Sequence, residues 1–592
     1  MISLLEESGA RLILLEAPAG YGKTTLARQW SDGQNGPVAW YRTTRSSGDV
    51  AALAVSLDDL LASVTSPSGR DAKRIGAIAS VNPKPGPLGR ALVSTYRSLG
   101  RDVLLVLDEW ESAGTEEAEE LVAMLVDELG IRVLVTSRTR PPWFTSRLEV
   151  YGEAICVGVD ELAMTDAEAR DVLFGKPEAV RSVLPVAHGW PAVIGMAALP
   201  AHRTLPADAQ RAEILYDYLA QELLDSASDE VRDGLTLLAI AGISDPATAA
   251  LVLGSRAGAI LDASRRQGLI RDDQRGRFSI HPLLRDLLVS TVDDRPAAEQ
   301  KRLAESFLPL VEAERWDEAL AVAETLRSAA VVSAALERSL PNLLKTGRVA
   351  TLRRWVEAGR AAEAESGLVD YADAELALRD GALDRAIARG EIAVRSLTGD
   401  VAARAHLLAA KAATLADRWP QATRHLAAAE HLADEPDTRA EALWGKIVQA
   451  FHTESEHLAA LLAEYESIAP PGPDLGLRAA QGAMLLGLLE GKLAERIAEG
   501  ELGRPLVSSH PDAMRSTAFL NVLADALCQS SRYEEALEAT TLELALADEF
   551  ELEFVRRHGL LIKAHAAIGL RQVRVAERAL AELERRLEGR RD

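Results

Sequence analysis

Up to about residue 160 the chain alternates short apolar runs with longer stretches of helical period. The runs are Leu12–Leu15, Val38–Tyr41, Val103–Leu107, Ile131–Val135 and Ala154–Val157, each bounded by Gly, Asp, Arg or Pro. Runs apolar on both faces, a helix length apart, predict a parallel sheet covered by helices. Between the second and third run, Thr65–Arg90 carries SPSG and NPKPGPLG and predicts a surface loop or insertion. From about 160 to 295 the period is helical, and Thr165-Asp-Ala-Glu168 forms a capping box. The exception is Gly268 to Ile280, where two apolar runs flank a polar turn with Gly276 and predict a β-hairpin. Helices before it, and one opened by Pro282 after it, suggest a winged helix.

From about 297 onward only helices are predicted, and a unit recurs: a turn, an aromatic or aliphatic residue, then a small residue three positions on. Its copies centre on Trp316, Val349, Leu383, Trp419, His457, Leu493, Tyr533 and Val573, at spacings of 33, 34, 36, 38, 36, 40 and 40. A period near 34 that drifts to 40 predicts tetratricopeptide-type hairpins, which bury their apolar faces only by stacking and so create a concave surface.

Length and composition narrow the class. The chain has 592 residues, which predicts several domains, and a net charge of −23. That balance disfavours a broad nucleic-acid surface. Two cysteines, Cys156 and Cys528, argue for a reducing compartment. No apolar run approaches the ~18 residues of a membrane span, and MISLLEESGARLILLEAPAG lacks a signal peptide's positive start, so a soluble, cytoplasmic chain is expected.

The chemistry begins at Ala17-Pro-Ala19-Gly20-Tyr21-Gly22-Lys23-Thr24-Thr25, between a predicted strand and a helix, the setting of a P-loop. Gly20 and Gly22 let backbone N–H groups turn towards phosphate, and the helix N-terminus adds its positive end. Lys23 is expected on the β- and γ-phosphates and Thr24 on Mg²⁺. The pattern's first Gly is Ala17 here, which fits if its φ stays negative. The run Val103 to Leu107 ends in Asp108-Glu109, a Walker B pattern. Asp108 is expected to hold Mg²⁺ and Glu109 to orient or deprotonate the attacking water. A further run ends in Thr136-Ser137-Arg138, and Arg138 at the strand end is expected to sense the γ-phosphate. His188-Gly-Trp-Pro191 reads by itself as a turn, and His281 after the hairpin as a structural histidine.

Taken in order, APAGYGKTTL, LLVLDE, VTSR, HGWPAVI, LYDYLAQELLD and FSIHPLLRDLL resemble the STAND class of signalling ATPases, and most of all MalT-like regulators, the large ATP-binding members of the LuxR family. The resemblance covers roughly 10–295 and continues in the repeats. It implies a P-loop NTPase core over 1–160, a helical, lid-like domain over 161–228, a winged helix over 229–295 and a helical-repeat sensor over 296–592. The fold class is thus multidomain α/β plus α, with an α-solenoid. The resemblance further implies that Pro191 packs on adenine and that His281 contacts the ADP β-phosphate. It implies a switch from a closed ADP form to an ATP form that oligomerises, driven by an inducer or protein partner on the repeats and reset by slow hydrolysis. Two departures stand out: a short segment before the P-loop, and no LuxR-type helix-turn-helix at the end, without which direct DNA binding is not expected. The competing expectations are a repeat scaffold with a vestigial nucleotide site, DNA binding through the arginines of the winged helix (Arg265, Arg266, Arg271, Arg275 and Arg277) and, more weakly, a metabolic kinase.

Overall fold

The five apolar runs fold as β1 (Leu12–Glu16), β2 (Val38–Arg42), β3 (Leu104–Asp108), β4 (Arg132–Ser137) and β5 (Ala154–Val157). In this computed structural model the described residues are 2–588 apart from 66–72, 98–102, 176–179, 182, 199–226, 268, 273–275, 281, 294, 365, 509 and 511. The strands form one parallel sheet in the order β2-β3-β4-β1-β5. Helices cover it, so Leu14, Leu15, Val106, Leu107, Leu134 and Val135 are all buried, which is why these runs are apolar on both faces. All the carboxyl ends lie on one edge, and the P-loop leaves β1 there.

The stretch Thr65–Arg90 corrects its expectation. Beyond 66–72, which lie outside the described residues, it folds into helices Arg74–Val81 and Pro85–Tyr96. Pro85 opens the second helix, where a missing N–H removes no helical bond. The Pro and Gly content marks helix ends here rather than a loop.

Of the lid-like stretch, the described part holds the capped helix Asp166–Val172, with Thr165 Oγ1 accepting from the Glu168 N–H, and the helix Pro191–Ala197. LYDYLAQELLD lies outside the described residues. The winged helix comprises helices Asp229–Ala241, Pro246–Leu253 and Ala257–Arg266, an antiparallel pair β6 (Ile270–Asp272) and β7 (Phe278–Ile280), and helix Pro282–Asp293.

The chain divides into two compact units. The first holds Met1–Ile75, Leu88–Leu343 and Glu357–Ala364; the second holds Gly76–Pro87, Leu344–Val356 and Glu365–Asp592. Helices Trp316–Leu326, Val349–Ala361, Leu383–Ala393, Trp419–Leu432, Leu458–Ile468, Leu493–Gly500, Tyr533–Glu549 and Val573–Glu588 each form the second arm of a hairpin. Their starts coincide with the recurring sequence element, within one residue at His457. The turn before each passes through the left-handed region, at Glu314, Gly347, Gly381, Asp417, Glu454, Gly491, Ser531 and Arg571. One such residue ends the first arm and reverses the chain, which is the physical content of the repeat. Within the second unit, the Asn82 side chain donates to the Phe550 carbonyl at 2.8 Å, and Val81 packs against Ala547, Leu552 and Val555. No single helix among the described residues is long and apolar enough to cross a membrane.

Candidate nucleotide site

The P-loop turns through Gly20 (φ +84°) and Gly22 (φ +77°), a region that disfavours other residues, before helix Lys23–Asp32 begins. A Cβ on Gly22 would meet nothing within 4 Å, so open space faces the helix N-terminus. Ala17 is buried and is not among the positive-φ residues, and its N–H donates to the Ser137 carbonyl at 3.3 Å. Alanine therefore fits the first P-loop position.

Lys23 is 9% exposed and folds back on the loop, donating from Nζ to the carbonyls of Ala17 (2.6 Å) and Pro18 (2.9 Å). Burial pushes its ammonium below the usual lysine range, although Glu111 opposes this. Thr24 Oγ1 and Thr136 Oγ1 both donate to Asp108 Oδ1, each at 2.8 Å. Asp108 is 1% exposed. Burial raises it above the usual carboxylate range, Glu109 adds to this, and the two hydroxyls offset part. A buried carboxylate, two hydroxyls and an open anion cradle form a donor set that fits a nucleotide phosphate chain with a hard divalent cation.

Glu109 sits in the left-handed region (φ 60°, ψ 46°), and its N–H donates to Thr136 Oγ1 at 2.9 Å. Its carboxylate is paired with Arg42, which ends β2; Nη2 lies 3.2 Å from each carboxylate oxygen. Arg42 escapes sequence reasoning because the apolar run stops at Tyr41, while pairing with β3 carries the strand one residue further. Arg138 follows the end of β4; its side chain is 41% exposed and its Nε lies 3.0 Å from Glu111 Oε1. Thr25 is exposed on the first turn of the helix.

The HGWP turn is joined to the P-loop. Trp190 Nε1 donates to the Ala19 carbonyl at 3.1 Å, and the Ala192 N–H donates to the Gly20 carbonyl at 3.0 Å. Trp190 stacks on Tyr21 at 5.9 Å between centroids and 15° between planes. Pro191, between these two ties, opens its helix beside the loop. This tie of Trp190 to the loop escapes a one-dimensional reading, because its partner lies 171 positions away. His281 lies outside the described residues. Within the arginine patch of the winged helix, Arg265 pairs with Asp272 (2.8 Å) and Asp262 (2.9 Å).

The MalT winged helix domain family matches residues 220–300. The HTH-type transcriptional regulator MalT of Vibrio parahaemolyticus is 26% identical over 315 residues, 50% of this chain and 34% of that protein. Its counterpart from Cronobacter sakazakii is 28% identical over 307 residues, 48% of this chain and 33% of that protein. The chain spans about a third of the length of the curated relatives it matches. The crystal structure of a Signal Transduction ATPase with Numerous Domains (STAND) with a tetratricopeptide repeat sensor, from Pyrococcus horikoshii, superposes with a TM-score of 0.68 over 99% of this chain and 88% of that one, at 14% identity. That likeness is one of fold. The chain thus carries a MalT winged helix domain, is similar to MalT regulators over about half of its length, and shares the fold of a STAND protein with a tetratricopeptide repeat sensor.

Proposed function

We propose that this chain is an ATP/ADP-dependent signal-transduction switch, in which the helical repeats receive an inducer or a protein partner and slow ATP hydrolysis resets the state. The observation that carries the reading is the joining of Lys23, Thr24, Asp108 and Glu109 at one sheet edge, with the HGWP turn hydrogen-bonded to the same loop. Lys23 lies within reach of the loop carbonyls it now holds, and turning it outward presents its charge to a phosphate. Thr24 and Asp108 are the residues that would hold Mg²⁺, which when bound supplies charge neutralisation on the phosphate oxygens. Glu109 is positioned by its backbone bond to Thr136 and would take the proton of the attacking water. Arg138 would exchange Glu111 for the terminal phosphate, Pro191 would pack on the adenine and His281 would meet the β-phosphate of ADP. ATP-dependent oligomerisation belongs to the same reading.

Purification without added nucleotide, followed by identification of the bound species, tests it: co-purified ADP is expected. Rapid steady multiple-turnover ATPase without any partner would count against a switch. If Lys23→Ala left nucleotide binding and partner binding unchanged, a repeat scaffold with a structural nucleotide site would stand instead. The ion pairs of Arg265 weigh against DNA binding through the winged helix; salt-dependent duplex binding by the full chain would revive it.

A further inference from the structure

Arg42 and Asp108 face each other across the β2–β3 ladder. That register delivers the Arg42 guanidinium to Glu109, the residue after the strand. Nη2 lies 3.2 Å from both Oε1 and Oε2, and Nε lies 3.4 Å from Oε2. One planar fork therefore engages both oxygens of the carboxylate. The Glu109 backbone is fixed by its left-handed conformation and its bond to Thr136, so only the side chain can turn. The paired side chains are 32% and 30% exposed, and β2 is the edge strand of the sheet. The pair can therefore open towards water without stranding a buried charge.

We propose that Arg42 is a positioning residue that latches Glu109 in a resting orientation, and that hydrolysis requires this ion pair to open; the inference rests on Glu109 being the proton acceptor. In that step the water oxygen bonds to the γ-phosphorus, the bond from that phosphorus to the β–γ bridging oxygen breaks, and ADP leaves with that electron pair. The water proton goes to a Glu109 oxygen. Oε2 accepts from both Nε and Nη2 and Oε1 from Nη2, so the fork holds the carboxylate turned to Arg42 rather than to that water. The carboxylate is thus built into the site yet withheld from it. This gives slow basal turnover a specific cause, and it gives any event that shifts β2 against β3 a way to raise the rate.

The test compares single-turnover ATP hydrolysis by the full-length wild type, Arg42→Ala, Arg42→Lys, Glu109→Gln and the Arg42→Ala/Glu109→Gln double variant, with ADP affinity measured in parallel. A half-exposed ion pair of this kind is worth roughly three- to fivefold in an equilibrium. Arg42→Ala is therefore expected to hydrolyse about three- to fivefold faster at unchanged ADP affinity, with Arg42→Lys in between because it keeps charge but loses the fork. The double variant should show no acceleration, which a merely structural role for Arg42 would not require. An Arg42→Ala rate equal to or below wild type overturns the latch. If Glu109→Gln hydrolyses at the wild-type rate, the base assignment itself fails; if it is inactive while Arg42→Ala is not faster, the latch alone fails.

Discussion

Replacing Trp190 by Phe isolates one of the two ties between the HGWP turn and the P-loop. Phenylalanine keeps an aromatic face for Tyr21, which now stacks at 15°, and loses the five-membered ring of the indole with the Nε1–H that reaches the Ala19 carbonyl at 3.1 Å. Ala19 is 8% exposed and Trp190 is 8% exposed, so water has poor access to the orphaned carbonyl. An unsatisfied buried acceptor costs about 1–3 kcal/mol. The second tie, from the Ala192 N–H to the Gly20 carbonyl, survives and keeps the loop near its place, so the lower half of that range applies. If the turn pre-organises the loop, about 1–2 kcal/mol appears as a loss of nucleotide affinity of roughly 5- to 30-fold. Titration calorimetry with ADP, beside thermal melting of the same samples, reads both quantities. A variant that melts earlier yet binds ADP within about twofold of wild type would refute the reasoning, because the bond would then serve stability alone.

Lys23→Ala should weaken ADP binding by roughly 10- to 150-fold, the worth of a charge-assisted bond, while leaving the melting temperature of the nucleotide-free chain unchanged or higher, since a burial-disfavoured ammonium is removed. Gly189→Ala would set a Cβ 2.7 Å from the Met164 carbonyl at a backbone φ of +75°, and is expected to cost about 2–3 kcal/mol and to weaken ADP retention; native retention would show that the turn tolerates displacement. Glu543 is fully buried, with Asn521 bonded to one oxygen and no partner on the other, and burial pushes its carboxyl from 4.5 up to about 7. A raised acid holds its proton more tightly when folded, so stability from this group is full below pH 4.5 and is lost as pH rises through about 7. The swing is about 3 kcal/mol, and Glu543→Gln should flatten it in denaturant titrations across that window.

The sequence exposes those parts of the fold whose signal is local. A strand buried on both faces writes itself as an apolar run, and all five did, from Leu12–Leu15 to Ala154–Val157. The repeat was readable because each hairpin needs one chain reversal before its second helix, and that reversal falls at a fixed offset before Trp316, Leu383 or Tyr533. The stretch after Thr65 misled because Pro85 and its neighbouring glycines are equally at home in a helix's first turn. The meeting of Lys23, Thr24, Asp108 and Glu109 at one sheet edge could be expected from spacing. Their partners could not. Arg42 depends on which strand lies beside β3, Thr136 on which lies on its other side, and Trp190 on a contact 171 residues long.

Those partners bear on how the proposed switch would be built. Among the described residues, the two cations proposed to meet a phosphate already have internal partners: Lys23 holds two loop carbonyls and Arg138 holds Glu111, while Arg42 holds Glu109. Nucleotide binding on the proposed reading is then an exchange of partners rather than a filling of vacant charges. Such an exchange contributes little net energy for each group, because one electrostatic contact replaces another. It does give every group two discrete positions, which a two-state element requires. Moving a population from mostly off to mostly on takes about 5.5 kcal/mol of differential affinity, more than one exchanged ion pair provides. Several exchanges must act together, or the repeats must contribute the remainder through their own ligand. The reading therefore predicts that Lys23 and Arg138 are energetically coupled. A double-mutant cycle on ADP and ATP affinity should give a non-additive value for ATP and a near-additive value for ADP, since only the γ-phosphate is proposed to meet both at once. Additive effects for both nucleotides would mean that the two cations act independently and that the bistable element lies elsewhere in the chain.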